Sequence, residues 1–281
     1  MIVCETRAAL ETAIAAEQQK HNSIGFVPTM GALHAGHCSL IDRARKENDT
    51  VVCSVFVNPI QFNNAHDLET YPRDKEKDFL LLEQHHCDIV FAPTPEEMYT
   101  EPPTETYNFG DLEKVLEGPR RPGHFNGVAV VVNRLFRMVK PNRAYFGEKD
   151  FQQIAIIKKM VADHHVPVEI IPCPIIRDYD GLATSSRNVR LSKEQRYIAP
   201  FIHKTLETSV SLFRQGKSIA YVKSWVLEEF KKEPAFEVEY YEIVDDITLQ
   251  PITDPSENQG VVGCIAVWLG DVRLIDLQRY A

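Results

Sequence analysis

No apolar run in this sequence approaches the roughly 20 residues that a membrane-spanning helix needs, so no membrane partner is expected. Nor does the chain open on a basic stretch followed by an apolar one. Met1 to Lys20 mixes acids, alanines and glutamines like a soluble helix, and the expected location is the cytoplasm. The six cysteines, Cys4, Cys38, Cys53, Cys87, Cys173 and Cys264, include no CxxC pair. Most sit in apolar runs, where a reduced cysteine behaves as a small hydrophobe, and the pattern fits a reducing compartment. Positive charge is in short supply too: 31 Lys plus Arg face 40 Asp plus Glu, a net charge of -9. That balance gives nucleic acid no general attraction, and an anionic ligand would need counter-charge gathered locally. Internal repeats and low-complexity stretches are absent as well.

What remains is an ordinary globular composition, 44% hydrophobic and 25% charged over 281 residues, enough for one large domain or two smaller ones. Five apolar runs, Ile24 to Val27, Val51 to Val57, Asp88 to Ala92, Ala144 to Phe146 and Val168 to Ile176, alternate with stretches of helical spacing such as DKEKDFLLLEQHH and DFQQIAIIKKMVADHH. Strands apolar on both faces that alternate with helices predict an α/β fold, a Rossmann-like parallel sheet with helices on both faces. After Arg187 the pattern changes. LSKEQRYIAPFIHKTLETSVSLFRQ and SIAYVKSWVLEEFKKE read as two helices, and FEVEYYEIVD, GVVGCIAVWLG and VRLIDLQ read as three strands separated by TDPSENQG and GD. This predicts a small C-terminal α+β domain with an antiparallel sheet. The expected division is 1–176 and 177–281, and the segment Arg177 to Arg187 at the boundary is a common place for a site.

Pro28 to His37, PTMGALHAGH, directly follows the first of these runs, and CSLIDRARK after it begins a helix. Parallel sheets bind ligands at the carboxyl ends of their strands. A helix N-terminus offers an anion unpaired N–H groups and partial positive charge. Gly31 and Gly36 remove side chains that would hold a phosphate off the backbone. With a first turn near His34, that residue and His37 share a face. Phosphate contact, capping or packing of the turn, and metal ligation are the three readings of the imidazoles. Neither further ligands at metal spacing nor an HExxH accompanies them, which weighs against a metal.

Three more stretches carry polar groups, two of them after strands and the third at the expected domain boundary. SVFVNPIQF places the neutral amides Asn58 and Gln61 where a hydroxylated carboxylate could be held, although Asn-Pro is also a plain turn former. FGEKDFQQ combines Gly147, which permits close approach, with Lys149 as a point charge and Asp150 as an acceptor for ribose hydroxyls. Gln152 or Gln153 faces inward one turn later, and a solvated Lys-Asp pair is the bland alternative. GLATSSRN offers Ser185, Ser186 and Arg187 to a triphosphate tail or, equally simply, caps the next helix. The loop GPRRPGHFNG either covers a site or turns the chain, and YPRDKEKD reads as a solvated helix start.

In series, PTMGALHAGH, SVFVNPIQF, RPGHFNGV, FGEKDFQQ and ATSSRN resemble the pantothenate synthetase (pantoate–β-alanine ligase) family from about Gly25 to Asn188, and more weakly through EIVDDITLQPI. The HxGH pattern alone is shared across the nucleotidylyltransferase superfamily; the five stretches in this order are far more specific. The resemblance implies that ATP and pantoate form an enzyme-bound pantoyl adenylate and pyrophosphate, and that the β-alanine amine then displaces AMP. It also implies Mg²⁺ with ATP and a homodimer, with 1–176 as the ATP- and pantoate-binding domain. The domain break at the phosphate segment 184 to 187 separately suggests that 177–281 closes over the site as a C-terminal lid.

By the same resemblance, Met30, Gly31, Ala32, Leu33, His34, Ala35, Gly36 and His37 form the ATP loop, with both histidines on the phosphates and His37 the usual general acid. Gln61 contacts pantoate and β-alanine, Gln153 is a second pantoate contact, and Asn58 is a neighbour. Gly147, Glu148, Lys149 and Asp150 contact ribose and phosphates. Thr184, Ser185, Ser186 and Arg187 form a second phosphate segment, and Ile176 touches adenine through its backbone. Two residues depart from the family pattern: Thr184 stands where Met or Leu is usual and Ile176 where Val is usual. Neither changes a charge, so they bear on the nucleotide pocket's shape rather than the reaction. Rival readings are another HxGH enzyme, including a tRNA synthetase fragment, and a nucleotide-binding regulator without turnover. The acidic balance speaks against tRNA, and the set His34, His37, Lys149 and Arg187 speaks against a mere binder.

Overall fold

The computed structural model describes residues 1–254 and 260–280. The chain divides into two compact units, Met1–Phe109 with Arg121–Ile175, and Gly110–Arg120 with Ile176–Ala281.

The first unit is built on six parallel strands: β1 (Ile2–Cys4), β2 (Ile24–Thr29), β3 (Thr50–Val55), β4 (Ile89–Phe91), β5 (Arg143–Gly147) and β6 (Glu169–Cys173), in the spatial order β1-β4-β3-β2-β5-β6. Every residue of β3 and β4 is buried, and so is nearly all of β2, as in a sheet covered on both faces. The helices are α1 (Arg7–Gln19), α2 (Ala35–Glu47), α3 (Ala65–Glu69), α4 (Lys75–Gln84), α5 (Pro95–Met98), α6 (His124–Val139) and α7 (Phe151–Asp163). From β2 the chain steps through β3 towards one edge, then returns to place β5 and β6 on the other side. The order therefore reverses between β2 and β5, whose registers align Gly25 with Arg143 and Phe26 with Ala144. In open parallel sheets, ligands bind outside the strand ends at such a reversal.

Two elements differ from the sequence reading. The N-terminus starts with edge strand β1, paired with β4, before α1 begins behind its Thr6 cap. Three residues are too short for a periodicity to declare itself. In the second unit, the first expected helix is split into α8 (Lys193–Ile198) and α9 (Phe201–Arg214). Pro200, with no N–H to bond back, interrupts the ladder at the end of α8.

The second unit continues with α10 (Ile219–Lys231) and an antiparallel sheet of β7 (Phe236–Asp245), β8 (Val261–Leu269) and β9 (Val272–Arg279), in that order. Its core joins Ile202, Leu206, Val222, Val226 and Phe230 of the helices to Tyr241, Ile243, Ile265 and Val267 of the sheet. Of the TDPSENQG turn expected between β7 and β8, residues 255–259 lie outside the described residues. The segment Gly110–Arg120 is anchored on this sheet. Glu117 accepts from Tyr240 Oη at 2.7 Å and from Arg273 Nη1 and Nη2 at 2.7 and 2.9 Å, and the Arg120 guanidinium lies 4.6 Å from the Tyr240 ring centre. Arg273 also pairs with Glu239.

Candidate active site

The two-histidine loop leaves the carboxyl end of β2 in a turn braced from below. Thr29 Oγ1 donates to the Ser54 carbonyl at 2.7 Å and accepts the Gly31 N–H at 3.1 Å. Gly31 takes φ of 78° and Ala32 takes 49°, the left-handed region. Asp78 of α4 closes the turn by accepting the N–H groups of Ala32 and Leu33 at 2.9 and 2.7 Å. A Cβ at Gly31 would fall 2.8 Å from Asp78 Oδ2 and 3.1 Å from Val55 Cγ1. Gly31 is thus required by the turn and by the close approach of Asp78.

Asp78 is an exception within YPRDKEKD, which reads as a solvated helix start and whose residues 73–77 are exposed. It is 2% exposed, and burial raises its carboxyl above the usual range, against the two N–H bonds that lower it. The signal for it is positional: Asp78 lies four residues before buried Leu82 on α4, hence on the same, inward face.

His34 is the N-cap of α2 and its Nδ1 accepts the Gly36 N–H at 3.1 Å. In the neutral ring the remaining proton is then on Nε2, which is left as a donor. The His34 and His37 rings are 4.0 Å apart at a 35° tilt. His37 Nδ1 is enclosed and has no hydrogen-bond partner among the described residues. Burial first, then the Lys149 charge, lowers His34 to about 4; burial, His34 and Lys149 hold His37 well below its ordinary value. Both rings are therefore neutral near pH 7 and serve as hydrogen-bonding groups. The fixed cation beside them is Lys149, whose side chain is 18% exposed and sits 3.4 Å from Asp150 Oδ1.

Asn58 and Gln61 are both buried, at 1% and 8% exposure. Asn58 Nδ2 donates to Gln61 Oε1 at 3.0 Å, and Gln61 Nε2 lies 3.0 Å from Met30 Sδ. These bonds join the SVFVNPIQF stretch to the first residue of the histidine loop. At the end of β5, Gly147 has φ of -75°, and no described atom lies within 4 Å of where its Cβ would be. The fold does not need a glycine there, so the open space is available to a ligand. A 3-10 turn, Glu148–Asp150, then leads into α7. On α7 it is Gln152 that is buried, at 4% exposure, whereas Gln153 is half-buried.

The first unit thus brings together Met30, His34, His37, Asn58, Gln61 and the 147–150 turn at the ends of β2, β3 and β5. Ile176 and Thr184 to Arg187 belong to the second unit. There a bridge pairs Arg177 with Ala183, and the Ile176 carbonyl accepts both the Thr184 N–H at 2.9 Å and the Thr184 hydroxyl at 3.0 Å. Thr184, one of the two departures, therefore occupies the Ile176 carbonyl with a bond that Met or Leu could not make. Ser185 Oγ accepts the Arg187 N–H at 3.3 Å and starts a 3-10 turn, and Ser186 is buried.

A parallel sheet carrying a braced, two-histidine loop and a lysine turn at its strand-order reversal defines an α/β enzyme of the nucleotide-using kind. The chain matches the family described as pantoate-beta-alanine ligase over residues 2–278. Pantothenate synthetase of Porphyromonas gingivalis is 51% identical over 280 residues, covering 100% of this chain and 99% of its own length. That of Bacteroides fragilis is 48% identical over 280 residues at the same coverage. The crystal structure of pantothenate synthetase from Thermus thermophilus superposes with a TM-score of 0.94 at 45% identity, covering 100% of this chain and 99% of that one. Pantoate-beta-alanine ligase from Francisella tularensis, solved in complex with beta-gamma ATP and beta-alanine, gives a TM-score of 0.83 at 34% identity, covering 100% and 98%. The chain belongs to the pantoate–β-alanine ligase family and is an enzyme, a ligase of pantothenate biosynthesis.

Proposed function

We propose that the enzyme condenses (R)-pantoate with β-alanine through a pantoyl adenylate, releasing pyrophosphate in the first step and AMP in the second. The observation that carries the reading is the pair of neutral imidazoles, 4.0 Å apart at the N-terminus of α2 beside Lys149. Attack of the pantoate carboxylate on the α-phosphorus spreads negative charge over phosphate oxygens and the departing pyrophosphate. Positioned donors and one cation stabilise that charge best where water is excluded. His34 Nε2–H, the first N–H groups of α2, Lys149 and, from the second unit, Arg187 are the groups assigned to it. His37 acts as general acid once the bound triphosphate, by its charge, draws its pKa upward.

The nucleotide is assigned to Met30 to His37, Gly147 to Asp150, Thr184 to Arg187 and the Ile176 backbone. Gln61, Asn58 and Gln153 are assigned to pantoate, and Gln61 also to β-alanine. Mg²⁺ belongs to the same reading. The phosphate oxygens of ATP would be its principal ligands, as is usual for Mg²⁺. Its part is to neutralise phosphate charge. A homodimer and a cytoplasmic location complete the proposal.

An acyl adenylate hydrolyses if water reaches it. Residues 177–281 are proposed as a lid during adenylation. Unchanged protease sensitivity and solution shape on adding ATP and pantoate would remove that role. The reaction itself is tested by isotope exchange of pyrophosphate into ATP. Exchange that needs pantoate but not β-alanine, with AMP as the final product, is the expected result; ADP would overturn the proposal.

A further inference from the structure

RPGHFNGV is left by the sequence as either a cover or a turn. Its last residues begin α6, and two of them hold Gln61 in place. His124 Nδ1 lies 2.8 Å from the Gln61 carbonyl oxygen, and the Gly127 carbonyl accepts from Asn58 Nδ2 at 3.2 Å. A Cβ at Gly127 would fall 2.5 Å from the Ile60 carbonyl oxygen and 2.8 Å from Gln61 Cα, so only glycine lets the helix come this near.

That contact fixes the direction of every bond that follows. A backbone carbonyl accepts and never donates, so the Asn58 group facing Gly127 must be the amide NH₂. Asn58 Oδ1 then faces Tyr99, whose hydroxyl donates to it at 2.6 Å. The same NH₂ meets Gln61 at 3.0 Å, so it is the Gln61 carbonyl that lies on this side. The Gln61 NH₂ is turned away, towards Met30 Sδ, a weak acceptor that a carboxylate or hydroxyl oxygen readily replaces.

We propose that Tyr99 is a positioning residue which, acting through Asn58, presents the Gln61 amide as an N–H donor to the oxygens of the acid substrate. The inference rests on the assignment of Gln61 to pantoate. Tyr99 is itself held in place. The Arg134 guanidinium lies 5.0 Å from its ring centre, and Arg134 is fixed by Glu105 at 2.8 and 3.0 Å and by the Met98 carbonyl at 3.3 Å. Burial raises the Tyr99 phenol well above its ordinary value, more than Arg134 lowers it, so the hydroxyl keeps its proton. Reversing Asn58 would set its Oδ1 against the Gly127 carbonyl and the Gln61 Oε1, while the Tyr99 hydroxyl, by donating to Oδ1, holds the amide plane in place.

The test is Tyr99→Phe, which removes only the hydroxyl, assayed by pantoate-dependent pyrophosphate exchange. The KM for pantoate should rise on the order of tenfold while the KM for ATP stays within about twofold. In a Gln61→Ala background the same substitution should change neither, since its route to the substrate is gone. Calorimetric pantoate binding replaces KM wherever turnover is too slow. Partial unfolding lowers only the apparent kcat, so the ratio of the two KM values reads the effect either way. An unchanged pantoate KM, an equal rise in both KM values, or the same effect with and without Gln61 would overturn the proposal. Gln61→Ala alone reports on the underlying assignment: unaltered pantoate binding there would remove that assignment, whatever Tyr99 does.

Discussion

In the second unit, Glu117 takes two hydrogen bonds from Arg273 and one from Tyr240, and Arg177 meets Asp276 through two bonds of 2.6 and 2.8 Å. In the first unit, His37 Nδ1 is enclosed with no partner among the described residues, and the space at Gly147 is open. A buried polar group left unpaired costs about 1–3 kcal/mol, and a fully paired network stiffens its surroundings. The difference teaches where each unit's polar chemistry is directed. The ion pairs of the second unit complete one another, whereas the histidine loop of the first keeps His37 Nδ1 unpaired among the described residues, the group that the proposed reading gives to the nucleotide.

Removing one side of a closed network should do the most damage. Arg273→Ala removes the paired guanidinium from Glu117, 8% exposed, and should cost about 3–5 kcal/mol in chemical denaturation, with much of the loss in the second unit's transition. Lys149→Ala breaks the other side of the comparison. It should slow adenylation on the order of 10²–10³-fold, about 3–4 kcal/mol, while the denaturation midpoint stays put. Wild-type exchange rates in that variant would take Lys149 out of the mechanism. Asp78→Ala falls between the two kinds. Orphaning the Ala32 and Leu33 N–H groups should lower stability by about 1–3 kcal/mol and raise the KM for ATP, and a change in stability alone would make the brace merely structural.

The smallest effect is one of pH. His34 is lowered by burial from 6.5 to about 4, so between those values the unfolded chain binds the proton and the folded chain does not. His34 therefore leaves stability unchanged above pH 6.5 and lowers it increasingly as pH falls towards 4. His37 acts in the same direction. Thermal midpoints recorded from pH 7 to 4 should therefore fall less steeply in His34→Asn than in the parent enzyme.

The parts of the fold that were legible are those with long periodic signals: the strands of the parallel sheet from Ile24 onward, and the three strands of the second unit. β1 escaped because three residues show no period, and the break at Pro200 because the apolar spacing of α8 runs on into α9. The histidine loop was legible through its position after an apolar run. Its brace was not, since Asp78 is 45 residues from Leu33 and looks like one more charge among YPRDKEKD. The partners of Gln61 were hidden for the same reason. Tyr99, His124 and Gly127 lie far along the chain from it, and a hydrogen-bond direction has no signature in composition. Thr184 was visible as a departure, but its bond to the Ile176 carbonyl was not.

The anchoring of Gly110–Arg120 on the antiparallel sheet has a consequence for dissecting the enzyme. The chain passes from one unit to the other after Phe109, returns after Arg120 and crosses again after Ile175. No single cut therefore releases the second unit whole. A fragment expressed from residue 177 onward would keep Arg273 and Glu239 but lack Glu117, and Tyr240 would keep its hydroxyl without its acceptor. Such a piece would regain its sheet's polar partners only if a peptide spanning 110–120 were supplied alongside it.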